Sequence, residues 1–545
     1  RNLPRHAADA SCTASPRASS SMGAAAAKEA DAAALDAAPP PIEDNYALLE
    51  TPACAEATDA LDVQRFLSFL AKIARHREAL AAARLPKELP NEAQIAAELF
   101  SWSKSFHVSR APGRLDVMGG IADYSGARVL QMPIAEACLV ALQVQPESRS
   151  VRVLSFGATA GGRAPLFELA LDELRGADGQ PRPLAELRRR LAREASTAWA
   201  AYVVGSLAVL MHEEGVSFEA GMSFIVRSDV PEGKGVSSSA AVEVSAMVAL
   251  MAAHGLTVGR PERVAELCQM VENLVVGAPC GIMDQMASAL GRRGQLLSLL
   301  CRPALVQPAV AIPSGVRFWG VDSGVRHSVG GSDYGSVRCA AFMGRAILRW
   351  VQRERGEAEL EHLAEIPPSH FASLDEQLPA AVSGIVFERA FGEHGDSLTQ
   401  IDPAKHYNVA ACTAHPVHEH FRVQTFALAL ATPSSAAATQ LPLLGELMYQ
   451  SHASYSRVGL GSERTDLLVR LVREAGEGSG LFGAKITGGG SGGSVCVVGE
   501  AGAKAEASLR RVLARYQQET GVSPYVFEGS SMGALAFGTL HVVLK

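Results

Sequence analysis

The sequence lacks cysteine in any paired arrangement. Its nine cysteines are odd in number and scattered, with no CxxC. Zinc-ligand spacing and a disulfide framework are thereby excluded, and a reducing, cytoplasmic setting is expected. Long apolar runs are missing as well. The longest, Ala240–Ala253, carries Glu243 and falls short of the ~20 residues a bilayer requires, so no membrane partner is expected. Basic blocks are scarce: net charge is −7, and Arg188–Arg190 sits in a helix-like charged run that reads as a solvated face. No nucleic-acid partner is expected from such a chain. No repeat of fixed period is visible.

What is present is an ordinary globular composition, 48% hydrophobic and 20% charged over 545 residues, with room for two or three domains. The chain opens on Arg1 rather than Met, as a piece of a longer or processed protein would. The Ala-, Ser- and Arg-rich start, ending in Pro39–Pro41, partly resembles a transit peptide. Asp9, Glu29, Asp31 and Asp36 favour an interdomain linker, so residues 1–60 are read as low-complexity linker. Order is expected from Val63, where Val63, Phe66, Leu67, Leu70 and Ile73 share a helical face. With a second helix over Glu92–Trp102 this makes a helical extension, 61–105.

From Phe106 the texture changes. Phe106–Ser109 reads as a strand feeding a loop, Ala111–Gly120, and Val129–Ile134 with Ala137–Val144 reads as a hairpin. Helical patterns cover Ala185–Glu213, Ser238–His254, Val264–Val275, His415–Leu430 and Ser462–Ala475. Strands are expected at Met222–Val226, Val316–Val321, Gly493–Val498 and Met532–Leu544. The mixture implies an α+β protein of two lobes, 106–315 and 316–545.

Three glycine-containing segments carry chemistry. Pro231–Ala240, with Gly233, Lys234, Gly235, Val236, Ser237, Ser238 and Ser239, follows an apolar strand and opens a helix free of Pro and Gly until Gly255. Such a turn seats phosphates: glycine lets the backbone approach, and helix N-terminal N–H groups face the anion. Its serine hydroxyls can add a hard oxygen ligand for Mg²⁺. It is not a Walker loop, because no GKS or GKT follows at the required spacing. Ala111–Asp116 sets Arg114 and Asp116 among small residues, then continues through Gly119, Gly120, Ile121, Ala122, Asp123 and Tyr124. Gly488–Gly493, five glycines in six positions between apolar segments, implies a backbone close to something rather than a flexible linker. A fourth segment, Cys280–Gln285, holds Asp284 in an otherwise apolar run, as a base or as a helix N-cap.

Together these segments resemble the GHMP kinases, and among them the galactokinase-like sugar kinases, from about Phe106 to the C-terminus. Trp199–Gly205, Val325–Tyr334 and Gly445–His452 belong to the same resemblance. It implies a two-lobed α+β fold with the active site between lobes, and ATP and Mg²⁺ as cofactors. Gly233–Ala240 would wrap the ATP phosphates, with Gly489 and Gly490 closing over the substrates. Ser239 and Glu272 would hold Mg²⁺. Asp284 would take or orient the proton of the anomeric hydroxyl, and Arg114 would pair with it and stabilise charge on the phosphoryl group in transfer. Asp123 would hold sugar ring hydroxyls, with Gly281 and Tyr334 as further sugar contacts.

Galactokinases carry Gly-Glu-His-Thr-Asp-Tyr where this chain has Gly119–Tyr124. The Glu and His that help read the exocyclic 6-hydroxyl of galactose are here Gly120 and Ile121. An apolar residue there leaves that hydroxyl without a partner, at a cost of ~1–3 kcal/mol. L-Arabinose, which lacks the group, is the expected acceptor of an ATP-dependent sugar 1-kinase. The runs GGIADYSG, VLQMPI, GELMYQSHASYS and GAKITGGGSGG are similar to the plant-type arabinokinases, in which a glycosyltransferase-like region precedes the kinase. A galactokinase, a uronic-acid kinase and a catalytically idle sugar and ATP sensor are the alternatives.

Overall fold

A computed structural model describes residues 46–50, 54, 57, 60–81, 91–326, 332–431 and 437–545. Most of the expected linker over 1–60 and half of the Val325–Tyr334 run, residues 327–331, lie outside the described residues. Among the described residues, fifteen strands form two sheets and a short ribbon. The large sheet contains β1 (Tyr46–Leu48), β2 (Phe106–Met118), β3 (Arg128–Gln145), β4 (Ser150–Ser155), β5 (Leu166–Ala170), β6 (Gly221–Ser228), β7 (Gln295–Leu300), β8 (Leu305–Ala311) and β15 (Thr539–Leu544), in the order β1-β15-β2-β3-β6-β4-β5. Strand β7 pairs with β3 and carries β8. The small sheet runs β12-β13-β9-β14, from β9 (Val316–Asp322), β12 (Leu481–Ile486), β13 (Ser494–Glu500) and β14 (Val526–Phe527). The ribbon is β10 (Val382–Ser383) against β11 (His406–Tyr407).

Both faces of the large sheet are covered, which explains why its central strands are apolar with little alternation. Along β3, Leu139 and Ala141 join one apolar cluster with Val63, Phe66 and Leu70 of the helix Leu61–Ala81. Val140 and Leu142 join another with Val244 and Met247 of the helix Ser238–Ala253. Successive side chains thus serve opposite faces. The amphipathic helix expected near Val63 forms and buries its apolar stripe on the sheet.

Four local expectations change. The Ala111–Gly120 segment is mostly strand: β2 continues to Met118, with register shifts at Pro112/Arg114 and Asp116/Met118. The expected hairpin over 129–144 is one 18-residue strand. Its first part pairs with β7 and its second with β6, while β2 flanks both. Pro133 is accommodated where β2 shifts register, so it ends no strand. The Ala185–Glu213 helix breaks into Leu184–Leu191 and Ala201–Glu213. The last expected strand is only β15, preceded by the short helix Ala534–Phe537. Because β15 pairs with β2, the chain end returns to the first sheet, and the second lobe is not simply 316–545.

Candidate active site

Strand β2 delivers Arg114 into the interior, where it is 2% exposed. Its Nε and Nη2 donate to Asp284 Oδ1 at 3.0 and 2.6 Å, and Nη1 donates to Gly235 O at 2.7 Å. Asp284 lies in the first turn of the helix Met283–Leu290. Both guanidinium bonds land on Oδ1, which leaves Oδ2 clear of the arginine on a side chain that is 25% exposed. A carboxylate fixed through one oxygen by a buried Arg can orient a hydroxyl with the other and accept its proton.

Asp123 lies within electrostatic reach of this pair. Its carboxylate is buried and Oδ1 has no hydrogen-bond partner among the described residues. Burial first, then the charge of Asp284, lifts its carboxyl from 3.8 to about 6. A buried carboxylate left partly unsatisfied is costly, and donation from sugar hydroxyls would satisfy it. Gly281 lies directly under it: a Cβ there would overlap the Asp123 carboxylate. Tyr334 meets the Tyr124 ring edge-on at 6.1 Å. Burial first, then Asp123, raises its hydroxyl well above the usual tyrosine range.

The turn between β6 and the helix Ser238–Ala253 places Gly233, Gly235 and Ser237 at positive φ. Ser237 gives the helix no side-chain cap, and its buried Oγ has no partner among the described residues. The helix N-terminus is therefore left for an anion. Val236 O accepts from Arg114 N at 3.1 Å. Lys234 pairs with Asp322 of β9 at 2.8 Å and its carbonyl accepts from Ser494 Oγ at 2.8 Å, so this lysine is held by the other lobe. The loop after β12 closes the same space. Gly488 and Gly490, on either side of Gly489, have positive φ, and Cβ atoms there would meet Gly235 O and Leu460, each at 2.7 Å. The glycines permit this close backbone approach.

Glu272 sits in a π-helical turn, Val271–Val276, that follows the helix Glu262–Met270. Such turns re-aim a side chain without ending the helix. Burial first, then Asp284, lifts its carboxyl to about 7, against hydrogen bonds with Ser239, Cys280 and Gln285. Gln285 Nε2 donates to Glu272 Oε2 at 2.7 Å and to buried Glu243 at 3.3 Å. One carboxylate and one hydroxyl, with no group of three or more His, Cys, Asp and Glu suited to a metal among the described residues, fits an ion that takes its other ligands from phosphates and water, as Mg²⁺ does. Ser239 and Ala240 stand at the start of the helix Ser238–Ala253, after Ser238.

Gly120 and Ile121 offer the cleft no polar side chain. Ile121 is 1% exposed, with φ 53°, inside an apolar cluster that includes Tyr455 and Leu460. A Cβ on Gly120 would overlap the Tyr455 hydroxyl and the Asp116 carboxylate. The side-chain space at position 120 is therefore already filled.

Several site-building residues, Asp116 apart, have no role in the sequence reading. Lys485 and Asp116 form a fully buried ion pair at 2.6 Å. Arg338 grips Asp396 with both ends of its guanidinium and donates to Cys280 O at 3.2 Å. His415 bonds Gly120 O at 3.0 Å, and Glu419 accepts from Gly119 N at 3.1 Å. Many of these partners lie hundreds of positions apart, on helices whose patterns look merely amphipathic. Only their charge in apolar runs marked them.

Comparison with known proteins covers the same pieces. The GHMP kinases N terminal domain matches residues 201–292, the GHMP kinases C terminal matches 434–518, and the galactokinase galactose-binding signature matches 97–144. The chain is 43% identical over 84% of its length to an L-arabinokinase of Arabidopsis thaliana, and spans 48% of that relative. It is 29% identical over 76% of its length to a galactokinase of Chloroflexus aggregans, spanning 89% of it. In fold it is similar to Lactococcus lactis galactokinase complexed with galactose, with a TM-score of 0.63 and 21% identity over 84% of this chain and 100% of that one. No helix among the described residues is long and apolar enough to cross a membrane.

Proposed function

We infer that this chain, which matches the GHMP kinases N terminal and C terminal models and the galactokinase galactose-binding signature, is an ATP-dependent sugar 1-kinase acting on L-arabinose. The observation that carries this reading is the buried, partly unsatisfied Asp123 carboxylate near the Arg114–Asp284 pair, beside an uncapped Gly/Ser turn. Asp123 would accept the ring hydroxyls, with Gly281 leaving room for its carboxylate and Tyr334 beside it. The turn Gly233–Ala240 would bind the ATP phosphates, covered by Gly489 and Gly490.

Phosphoryl transfer needs positioning and charge neutralisation more than covalent chemistry. Asp284 would hold the anomeric hydroxyl through Oδ2 and take its proton. Arg114 would keep Asp284 aimed and offer its charge to the phosphoryl oxygens. Ser239 and Glu272 would hold Mg²⁺, which supplies charge neutralisation on the phosphates when bound. Deep burial of Arg114 and the close glycine loop would exclude water from the transfer.

The pentose is favoured because Gly120 and Ile121 provide no side-chain hydrogen bond for an exocyclic hydroxyl, and because a relative named L-arabinokinase is 43% identical. Galactose remains the second reading, favoured by the galactose-binding signature over 97–144. A uronate finds less support, since Arg338, a cation whose field reaches Asp123, is committed to Asp396. Scattered cysteines support a cytoplasmic setting. The test is ADP release with L-arabinose, D-galactose and D-glucuronate, with the product identified by ³¹P NMR. An anomeric pentose 1-phosphate is expected. No turnover of any sugar by protein that binds ATP would overturn the kinase reading.

A further inference from the structure

Under the acceptor loop, residues 119–124 following β2, lies a buried polar assembly that the proposed chemistry does not use. Tyr455, on the helix Ala437–Val458, is fully buried and donates from its hydroxyl to Gly488 O at 2.7 Å. The same hydroxyl occupies the space into which a side chain at Gly120 would project. Lys485 Nζ lies 5.4 Å from the Tyr455 ring centroid and pairs with Asp116 Oδ2. Asp116 Oδ1 accepts from Gln131 Nε2 at 2.8 Å, and Asp116 N donates to Thr487 Oγ1 at 2.7 Å. Three links thus run from β2 and its following loop to β12 and the glycine loop: Asp116 to Lys485, Asp116 to Thr487, and Gly120 against Tyr455, which holds Gly488.

Gly488 in turn stands against Gly235, whose carbonyl accepts from Arg114. The order of contact is therefore Gly120, Tyr455, Gly488, Gly235, Arg114 and Asp284, from the acceptor loop to the proposed base. We propose that Tyr455 is a positioning residue: its hydroxyl, seated in the gap that glycine leaves at 120, locks the acceptor loop to the glycine loop. Gly120 is not at positive φ, so its backbone suits any residue. Only the space is forbidden. Position 120 is consequently closed to every larger side chain by the Tyr455 hydroxyl and the Asp116 carboxylate together, and the acceptor loop's shape is set in part from the second lobe. The role of these loops rests on the sugar-kinase reading; the steric lock between residues 120 and 455 does not.

The test is a double-mutant cycle of Gly120→Ala and Tyr455→Phe in the full chain. Each variant is measured for melting temperature and for kcat and KM with the best acceptor found. Tyr455→Phe keeps the fold and loses one hydrogen bond to the glycine loop. It is expected to lower kcat about tenfold or more with KM for ATP within about threefold, since small misplacements of reacting groups act on the transition state. Gly120→Ala should lower both melting temperature and kcat/KM sharply. That loss should shrink without vanishing in the Tyr455→Phe background, where the clashing hydroxyl is gone while the Asp116 carboxylate still overlaps the added Cβ.

Equal losses from Gly120→Ala in both backgrounds would overturn the steric lock. Wild-type kcat in Tyr455→Phe would overturn the positioning role, and it decides the matter even where neither protein carrying Gly120→Ala folds. If no sugar is turned over, coupling in melting temperature still tests the lock, so its failure and that of the kinase reading are distinguishable.

Discussion

At the scale of single residues, the proposed reading rests transfer chemistry on Asp284 and acceptor binding on Asp123. Asp284→Asn is expected to lower kcat by about 10²-fold or more while KM for ATP moves little, because the change removes an interaction made in the transition state. Equal loss of nucleotide binding, measured by calorimetry, would mark Asp284 as structural. Asp123 carries a pH signature. Its carboxyl, raised from 3.8 to about 6 by burial and by Asp284, is ionised above that value and protonated below it. Arg338 opposes the shift, and the Tyr124 and Met283 backbone N–H groups donate to it. The ionised form accepts sugar hydroxyls better, so KM for sugar should rise as pH falls from about 7 to about 5, measured with ATP saturating. Folding stability has the opposite sign. The folded state binds this proton more tightly than the unfolded chain, so the Asp123 contribution is present below 3.8 and lost as pH rises through about 6. Arg114, Asp284 and Asp123 were all legible in the sequence because charge among small and apolar residues draws notice. The overlap of Gly281 with Asp123 was legible only as a glycine.

At the scale of elements, two departures from regular structure build what the proposed reading makes the phosphate and metal side of the cleft. The π turn Val271–Val276 aims Glu272 inward, and Ser237 adopts φ 61° at the helix entrance. Glu272→Gln should weaken divalent-cation binding by about tenfold or more, since a ligand charge is lost. Mn²⁺ titration by electron paramagnetic resonance, with a non-hydrolysable nucleotide present, measures this without turnover. Unchanged affinity would remove Glu272 from the metal site. Neither departure was readable beforehand. A helix and its π turn share one apolar period over Val264–Val275, and left-handed φ at a serine leaves no compositional mark. The expected hairpin over 129–144 failed for a related reason. Pro133 and Glu136 look like a turn locally, yet long-range pairing with β2 keeps the strand continuous. Local pattern gave way to tertiary pairing.

At the scale of the whole molecule, the two lobes are joined by buried charge. Asp116 on β2 and Lys485 on β12 are both fully buried, so removing one partner strands the other. Lys485→Met should cost about 3–5 kcal/mol of stability, read by urea unfolding. A loss within ~0.5 kcal/mol, as at an ordinary surface site, would show that water reaches Asp116. The α+β class and the two lobes followed from the order of elements in the sequence. The return of β15 to the first sheet did not, because nothing local to Thr539–Leu544 names its partner. The assembly of Tyr455, His415, Glu419 and Lys485 was hidden likewise, its contacts with the acceptor loop being made across long stretches of chain.

The central claim joins the proposed sugar-kinase reading to a particular acceptor, and the ratio of kcat/KM for L-arabinose to that for D-galactose tests it most directly. With saturating ATP and Mg²⁺, a ratio above about five is predicted, since the ~1–3 kcal/mol cost of an unpartnered buried hydroxyl corresponds to roughly 5- to 150-fold. A ratio at or below one would contradict it and make the chain a galactokinase with a remodelled acceptor loop.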